Sequence, residues 1–183
     1  MPTILSHAIA GAAIGYLLAP RGRSVAIITL AAAAAMAPDA DVLGFRLGID
    51  YGDLLGHRGL THSLLFAAVL AGGVAATARL FRLAGGDLWR IAAAVFAAAV
   101  SHGLLDALTN GGLGVAFFAP FNNTRYFFPA TPIEVAPLRV EALFSWRGAD
   151  VIASEALWVW APTVAIVGVA ALVRRPTRRG AGS

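Results

Sequence analysis

The chain has 183 residues, a formal net charge of +4 and no cysteine, which excludes disulfides and thiolate ligands and leaves any metal to histidine and carboxylate. Apolar residues make up 58% of it and charged residues only 13%, with a mean hydropathy of +0.74; that excludes an ordinary soluble composition and points to a membrane protein. The pI near 10.6 does not indicate nucleic acid, because the basic residues, all arginine, are scattered between apolar runs instead of forming a stripe.

The first apolar run, Ile4 to Ala19, is stopped by Pro20 and followed by Arg21 and Arg23. No basic segment precedes it and Ser6-His7 interrupts it early, so it reads as a retained membrane helix rather than a cleaved leader. A second run, Val25 to Ala37, ends at Pro38 and is short for a span, which needs about 20 residues. A polar loop is expected from Asp39 to Gly59, holding Asp39, Asp41, Asp50, Asp53 and His57.

Thr61 or Ser63 caps a third helix, Leu64 to Phe81. Arg79, Arg82, Gly85-Gly86 and Arg90 mark the next connection, and a fourth helix runs from Leu88 to about Leu108, stopped by Asn110-Gly111-Gly112. Residues 111–150 read as a long loop rich in aromatics and proline, suited to lying on a bilayer or covering a cleft. The fifth helix, Val151 to Val173, precedes a basic tail, 174–183, with Arg174, Arg175, Arg178 and Arg179. The expected fold is all-α: residues 1–183 as one domain, an integral membrane bundle of about five transmembrane helices.

The chemistry lies in four histidines and their carboxylate neighbours. His102 and Asp106 are four apart on a helix and share one face; alone, such a pair can equally be a buried hydrogen bond. Asp39 and Asp41 alone could be a solvated turn. His57 and His62 flank a helix start beside Arg58 and Thr61, and His7 alone says little.

Threading five helices through a membrane gathers these motifs. His7 starts the first helix, Asp39 and Asp41 end the second, and His57 and His62 begin the third. His102 and Asp106 fall near the end of the fourth, and Glu155 near the start of the fifth. All reach one membrane face, as expected of a metal site holding one or two divalent ions. Histidine and aspartate without cysteine suit hydrolytic zinc first, with manganese or iron as alternatives. Arg58 and Arg125 are candidates to bind an anionic group, and His57 to ligate or to act as acid–base.

These residues resemble a known family. His7, Pro38-Asp39-Ala40-Asp41, His57-Arg58-Gly59-Leu60-Thr61-His62-Ser63 and His102-Gly103-Leu104-Leu105-Asp106 look like the YdjM-type family. So do Pro120-Phe121-Asn122-Asn123-Thr124-Arg125-Tyr126-Phe127-Phe128-Pro129 and Ser154-Glu155-Ala156-Leu157-Trp158-Val159-Trp160. The resemblance implies a bacterial inner-membrane protein, LexA-regulated and described as a metal-dependent hydrolase. A more distant similarity is to zinc-dependent phospholipase C and single-strand nucleases, whose ligand order matches His7, Asp39 or Asp41, His62, His102 and Asp106. Their late His-x-x-x-Glu is missing here, with only Glu155 in its place, which favours one or two ions over three.

The function expected is hydrolysis of a phosphoester, in a lipid or a small molecule, by a protein embedded in the bilayer and not bound to nucleic acid. In that scheme His7, Asp39, Asp41, His62, His102, Asp106 and Glu155 serve metal, His57 and Arg58 the reaction, and Arg58 and Arg125 the substrate. The rival is a transporter or a metal-stabilised scaffold; a transporter places its ionisable groups near the midplane, and these fall at helix ends. The connections opposite the motifs carry Arg21, Arg23, Arg79, Arg82, Arg90 and the tail, whereas Arg46, Arg58, Arg125, Arg139 and Arg147 lie in longer segments on the motif side. The positive-inside rule then puts the site on the extracytoplasmic face.

Overall fold

A computed structural model describes residues 1–20, 24–82, 87–137 and 140–174. Arg21, Arg23, the Gly85-Gly86 turn, Arg139 and the tail arginines Arg175, Arg178 and Arg179 lie outside the described residues. The described chain is all-helical, with five main helices and no strand. These are α1 (Ile4–Leu18), α2 (Ser24–Met36), α3 (Leu64–Leu80), α4 (Leu88–Ala107) and α5 (Trp146–Val173).

Among the described residues, three helical stretches are long and apolar enough to cross a membrane: Val25–Leu47, Leu88–Ala107 and Trp146–Val173. The apolar helices α1 and α3, of 15 and 17 residues, are shorter. Two boundaries differ from expectation. Instead of breaking at Pro38, α2 continues as a 3-10 helix over Ala37–Leu47, so Asp39 and Asp41 sit on a helix rather than in a polar loop. Pro38 falls in the first turn of that segment, where a proline is tolerated. The last helix begins at Trp146, not Val151, because Ser145 caps it by accepting from the Gly148 amide.

Helix α4 is central and packs against α1, α2 and α3, while α5 lies against α1. The buried core is mainly alanine, including Ala31, Ala34, Ala35, Ala94 and Ala98. Lipid removes most of the hydrophobic drive for helix association, so close backbone approach and dispersion must hold the bundle. Gly11 and Gly15 of α1 serve that approach: a Cβ on either would come within 2.6 Å of α2, at Ala31 O and Ile28 Cα respectively.

Each end of α1 meets a charge of the sign its dipole favours. At its start, Glu155 accepts from the Thr3 amide and from the hydroxyls of Thr3 and Ser6. At its finish, Arg90 donates to the Leu18 carbonyl and Arg174 to those of Tyr16 and Leu17. Ser6 Oγ also accepts from Trp160 Nε1, across the π-helical turn Ala156–Trp160 of α5.

The segment after α4 folds back over its end. Phe128 N donates to Ala107 O, Ile133 N to Leu108 O and Asn110 N to Ile133 O. Ala116 N bonds Arg58 O and Leu64 N bonds Phe117 O, which ties this cover to the turn that precedes α3.

Candidate metal centre

One face of α4 carries His102 and Asp106, both fully buried. His102 Nδ1 lies 2.6 Å from the carbonyl oxygen of Ala35 on α2. A carbonyl only accepts, so Nδ1 carries the hydrogen and Nε2 is left with its lone pair aimed inward. That Nε2 is 2.9 Å from His62 Nε2, 3.4 Å from Asp39 Oδ1 and 3.9 Å from Asp106 Oδ2. His62 Nε2 is 3.4 Å from Asp106 Oδ2 and 3.9 Å from Asp39 Oδ1.

These four donors, from Asp39, His62, His102 and Asp106, all lie within 4.8 Å of one another. A tetrahedral ion with bonds of about 2.0–2.2 Å separates its ligands by roughly 3.4 Å. The observed separations bracket that value.

Hydrogen bonding tests the fit independently. Both carboxylate oxygens of Asp39 and of Asp106 are buried without a hydrogen-bond partner, as are both ring nitrogens of His7. Buried carboxylates in that state are costly; Arg58, 3.0 Å from Asp106 Oδ2, offsets part of the cost, and a cation among the donors would offset more. His7 is stacked on His102 with ring centroids 3.7 Å apart, and its Nε2 is 3.4 Å from Asp106 Oδ1. It flanks the four-donor group as a fifth donor and third nitrogen.

A second group, Asp41, His57 and His62, shares His62 with the first. Here the carboxylate is well supplied. Asp41 Oδ1 is 2.7 Å from His57 Nδ1, and Oδ2 accepts from Thr61 Oγ1 at 2.7 Å and from the Arg58 amide at 3.3 Å. His62 Nδ1 is 3.2 Å from the same Oδ2. Asp41 thus faces the outer nitrogens of two imidazoles, the place of a carboxylate that orients a ligand histidine. Burial acts to lower the pKa of His62, but the hydrogen bonds and charges of Asp106 and Asp41 outweigh it and raise the value to about 9.

The remaining candidates are engaged elsewhere. Arg58 is fully buried, with φ of 63°; its Nη1 donates to Gly111 O, its Nη2 to Thr109 Oγ1, and its Nε lies 3.0 Å from Asp106 Oδ2. Its fork is spent on Asp106 and the end of α4, with none of it turned toward an incoming anion. Arg125 donates to the carbonyls of His57, Tyr51 and Asp53 and so pins the loop that carries His57. Glu155 is buried at the start of α1 with its oxygens taken by Thr3 and Ser6, outside both groups.

Three contributors escaped the sequence reading: the Ala35 carbonyl, Thr109 and the hydroxyl of Thr61 as a partner of Asp41. The first is a backbone atom and leaves no mark in the sequence. Thr61 read as a helix cap, a role that hides its side-chain bond, and Thr109 carried no signal of its own in the sequence.

The chain matches the YdjM inner membrane protein family over residues 1–177. It is similar to the inner membrane protein YbcI of Escherichia coli (strain K12), 38% identical over 169 residues, which cover 92% of this chain and 96% of that protein. No solved structure matches it.

Proposed function

The chain belongs to the YdjM inner membrane protein family, and from that premise we propose that it is a membrane-embedded, metal-dependent hydrolase of phosphoesters. The observation that carries the reading is the pair of buried carboxylates Asp39 and Asp106, which make no hydrogen bond and face the Nε2 atoms of His62 and His102, Asp106 being paired in addition with Arg58. A divalent cation, zinc in first place, would be held by those four residues with His7 beside it. When bound it supplies Lewis acidity toward a phosphoryl oxygen and makes water acidic enough to attack near neutral pH.

The other parts of the reaction fall to the chain's own groups. Asp41 holds His57 through Nδ1, which leaves Nε2 as the atom that takes up or returns a proton. Arg58 steadies Asp106 and the cover over the end of α4, and the Ala35 carbonyl keeps His102 in the tautomer that presents Nε2. Burial of the whole group excludes bulk water and strengthens each charge interaction.

The site faces the extracytoplasmic side in this reading. Arg79, Arg82, Arg90 and Arg174 belong to the helix ends opposite the site, and short arginine-bearing connections stay in the cytoplasm.

One observation favours a second reading, a metal-stabilised scaffold: four protein donors closing on one point are the pattern of a structural ion, whereas catalytic sites keep a position open. Metal analysis of purified protein, followed by a screen of soluble and lipid phosphoesters with and without chelator, separates the two. Chelator-sensitive turnover supports the hydrolase. Stoichiometric metal with no turnover of any phosphoester leaves the scaffold.

A further inference from the structure

The metal centre is not sealed evenly. The side chains of His7, His62, His102 and Asp106 are 0% exposed, whereas those of Asp41 and Asp39 are 2% and 6% exposed. The two carboxylates nearest the surface both come from the 3-10 extension of α2. The least buried edge of the centre is therefore that extension, which borders the turn into α3.

On that side lies a groove of about 940 Å³. Both α2 and α3 pack on α4 while making little contact with each other, and the groove is the gap between them. Its walls include Ala26 and Leu30 of α2 and Phe66, Val69, Gly73 and Thr77 of α3, with Ile91 of α4 at one end. The lining is almost wholly apolar, and the hydroxyl of Thr29 is spent on the Val25 carbonyl. Phe66 stands one turn beyond His62, and Ala78 marks the opposite end.

The span from Phe66 to Ala78 rises about 18 Å at 1.5 Å per residue. One leaflet of the hydrocarbon core is about 15 Å deep. The volume falls within the roughly 300–1,000 Å³ of small-molecule sites.

We propose that the α2–α3 groove seats one acyl chain of a bilayer lipid, bringing that lipid's head group to the Asp39–Asp41–His62 edge of the metal centre. The substrate class is then a membrane lipid phosphoester approached laterally within one leaflet. The chemistry done on that head group rests on the hydrolase reading above; the seating of the chain does not.

The test uses the full-length protein in phosphatidylglycerol vesicles in which one acyl chain carries a diazirine. After illumination, adducts should concentrate on residues 26–30 and 66–78, well above those on the exposed Val164 and Leu172 of α5. A Cβ on Gly73 meets nothing within 4 Å, so Gly73→Phe can fill the groove without disturbing the backbone. It should cut groove adducts roughly tenfold, the loss expected when about two methylenes lose their seat, with metal content unchanged. Thr77→Phe, at the far end, should shift labelling toward shorter chains.

Equal labelling of groove and α5, or labelling indifferent to both variants, overturns the proposal. So does a dimer that Gly73→Phe converts to monomer, which would make the occupant a second copy of the chain. If the groove labels as expected but no lipid phosphoester is cleaved, the hydrolase reading falls and the chain-binding groove stands. If soluble phosphoesters turn over while the groove labels no better than α5, only the groove falls.

Discussion

The Nε2 atoms of His62 and His102 face each other at 2.9 Å, although 40 residues separate them in the chain. Each ring is held from behind, His102 by the Ala35 carbonyl and His62 by Asp41. Two imidazoles so placed must share either a proton or a cation, and the carboxylates of Asp39 and Asp106 beside them favour positive charge.

Ligand and orienting residue should separate in their effect on metal. His102→Ala or Asp106→Ala removes a donor and should abolish stoichiometric metal after dialysis. Asp41→Asn should weaken affinity by about 10–100-fold without abolishing it, the usual cost of losing a ligand's partner. Chelator competition on the purified variants measures both, and full occupancy in the first two would sink the assignment.

The raised pKa of His62 gives metal affinity a sign in pH. In chelator-stripped protein the His62 imidazolium contributes stability that is fully present below about 6.5 and is lost as pH rises through about 9. A cation must displace that proton, so affinity should climb by about tenfold per pH unit for one displaced proton, levelling near 9. Titrations at three pH values check the slope; a flat profile would mean that His62 does not bind the ion.

Arg58→Lys should lower stability and metal content together. Lysine keeps the charge near Asp106 but cannot also reach Gly111 and Thr109. Each buried group left without its partner costs about 1–3 kcal/mol. A variant with full stability and metal but no turnover would return Arg58 to the role of substrate fork.

Glu155→Gln should leave metal unchanged. It weakens charge-assisted bonds to Thr3 and Ser6, worth about 1.5–3 kcal/mol each at most, and so should lower thermal stability. Loss of metal in this variant at full thermal stability would make Glu155 a ligand.

Orientation can be read in this cysteine-free chain with an impermeant thiol reagent. Asn123→Cys, on the exposed cover near the site, should label in intact cells, and Phe81→Cys at the opposite end should not. The reverse pattern would put the site in the cytoplasm.

Much of the site was legible because spacing and chemistry coincide. His102 and Asp106 had to share a face once α4 was a helix, and five apolar runs brought the other motifs to the same end. What stayed hidden depends on partners distant in sequence. A buried arginine and an anion-binding arginine look alike until the donors of Arg58 find Gly111 and Thr109. Glu155 looked like a ligand because nothing near it in sequence showed that it meets the start of α1, more than 140 residues away. The run past Pro38 was missed because a proline that ends an α-helix can equally open a 3-10 helix.

The contacts at the two ends of α1 bear on how the protein accommodates bilayers of different thickness. Glu155 and Arg174, both contributed by the last helical segment and its end, grip opposite ends of the same short helix. Sliding one along the other by a turn would break both sets of bonds to α1, so the pair behaves as a strut of fixed length. In a thinner or thicker membrane it must then answer mismatch by tilting as a unit. His7, carried on that strut, would swing with it, which couples the geometry beside His102 to the lipid environment.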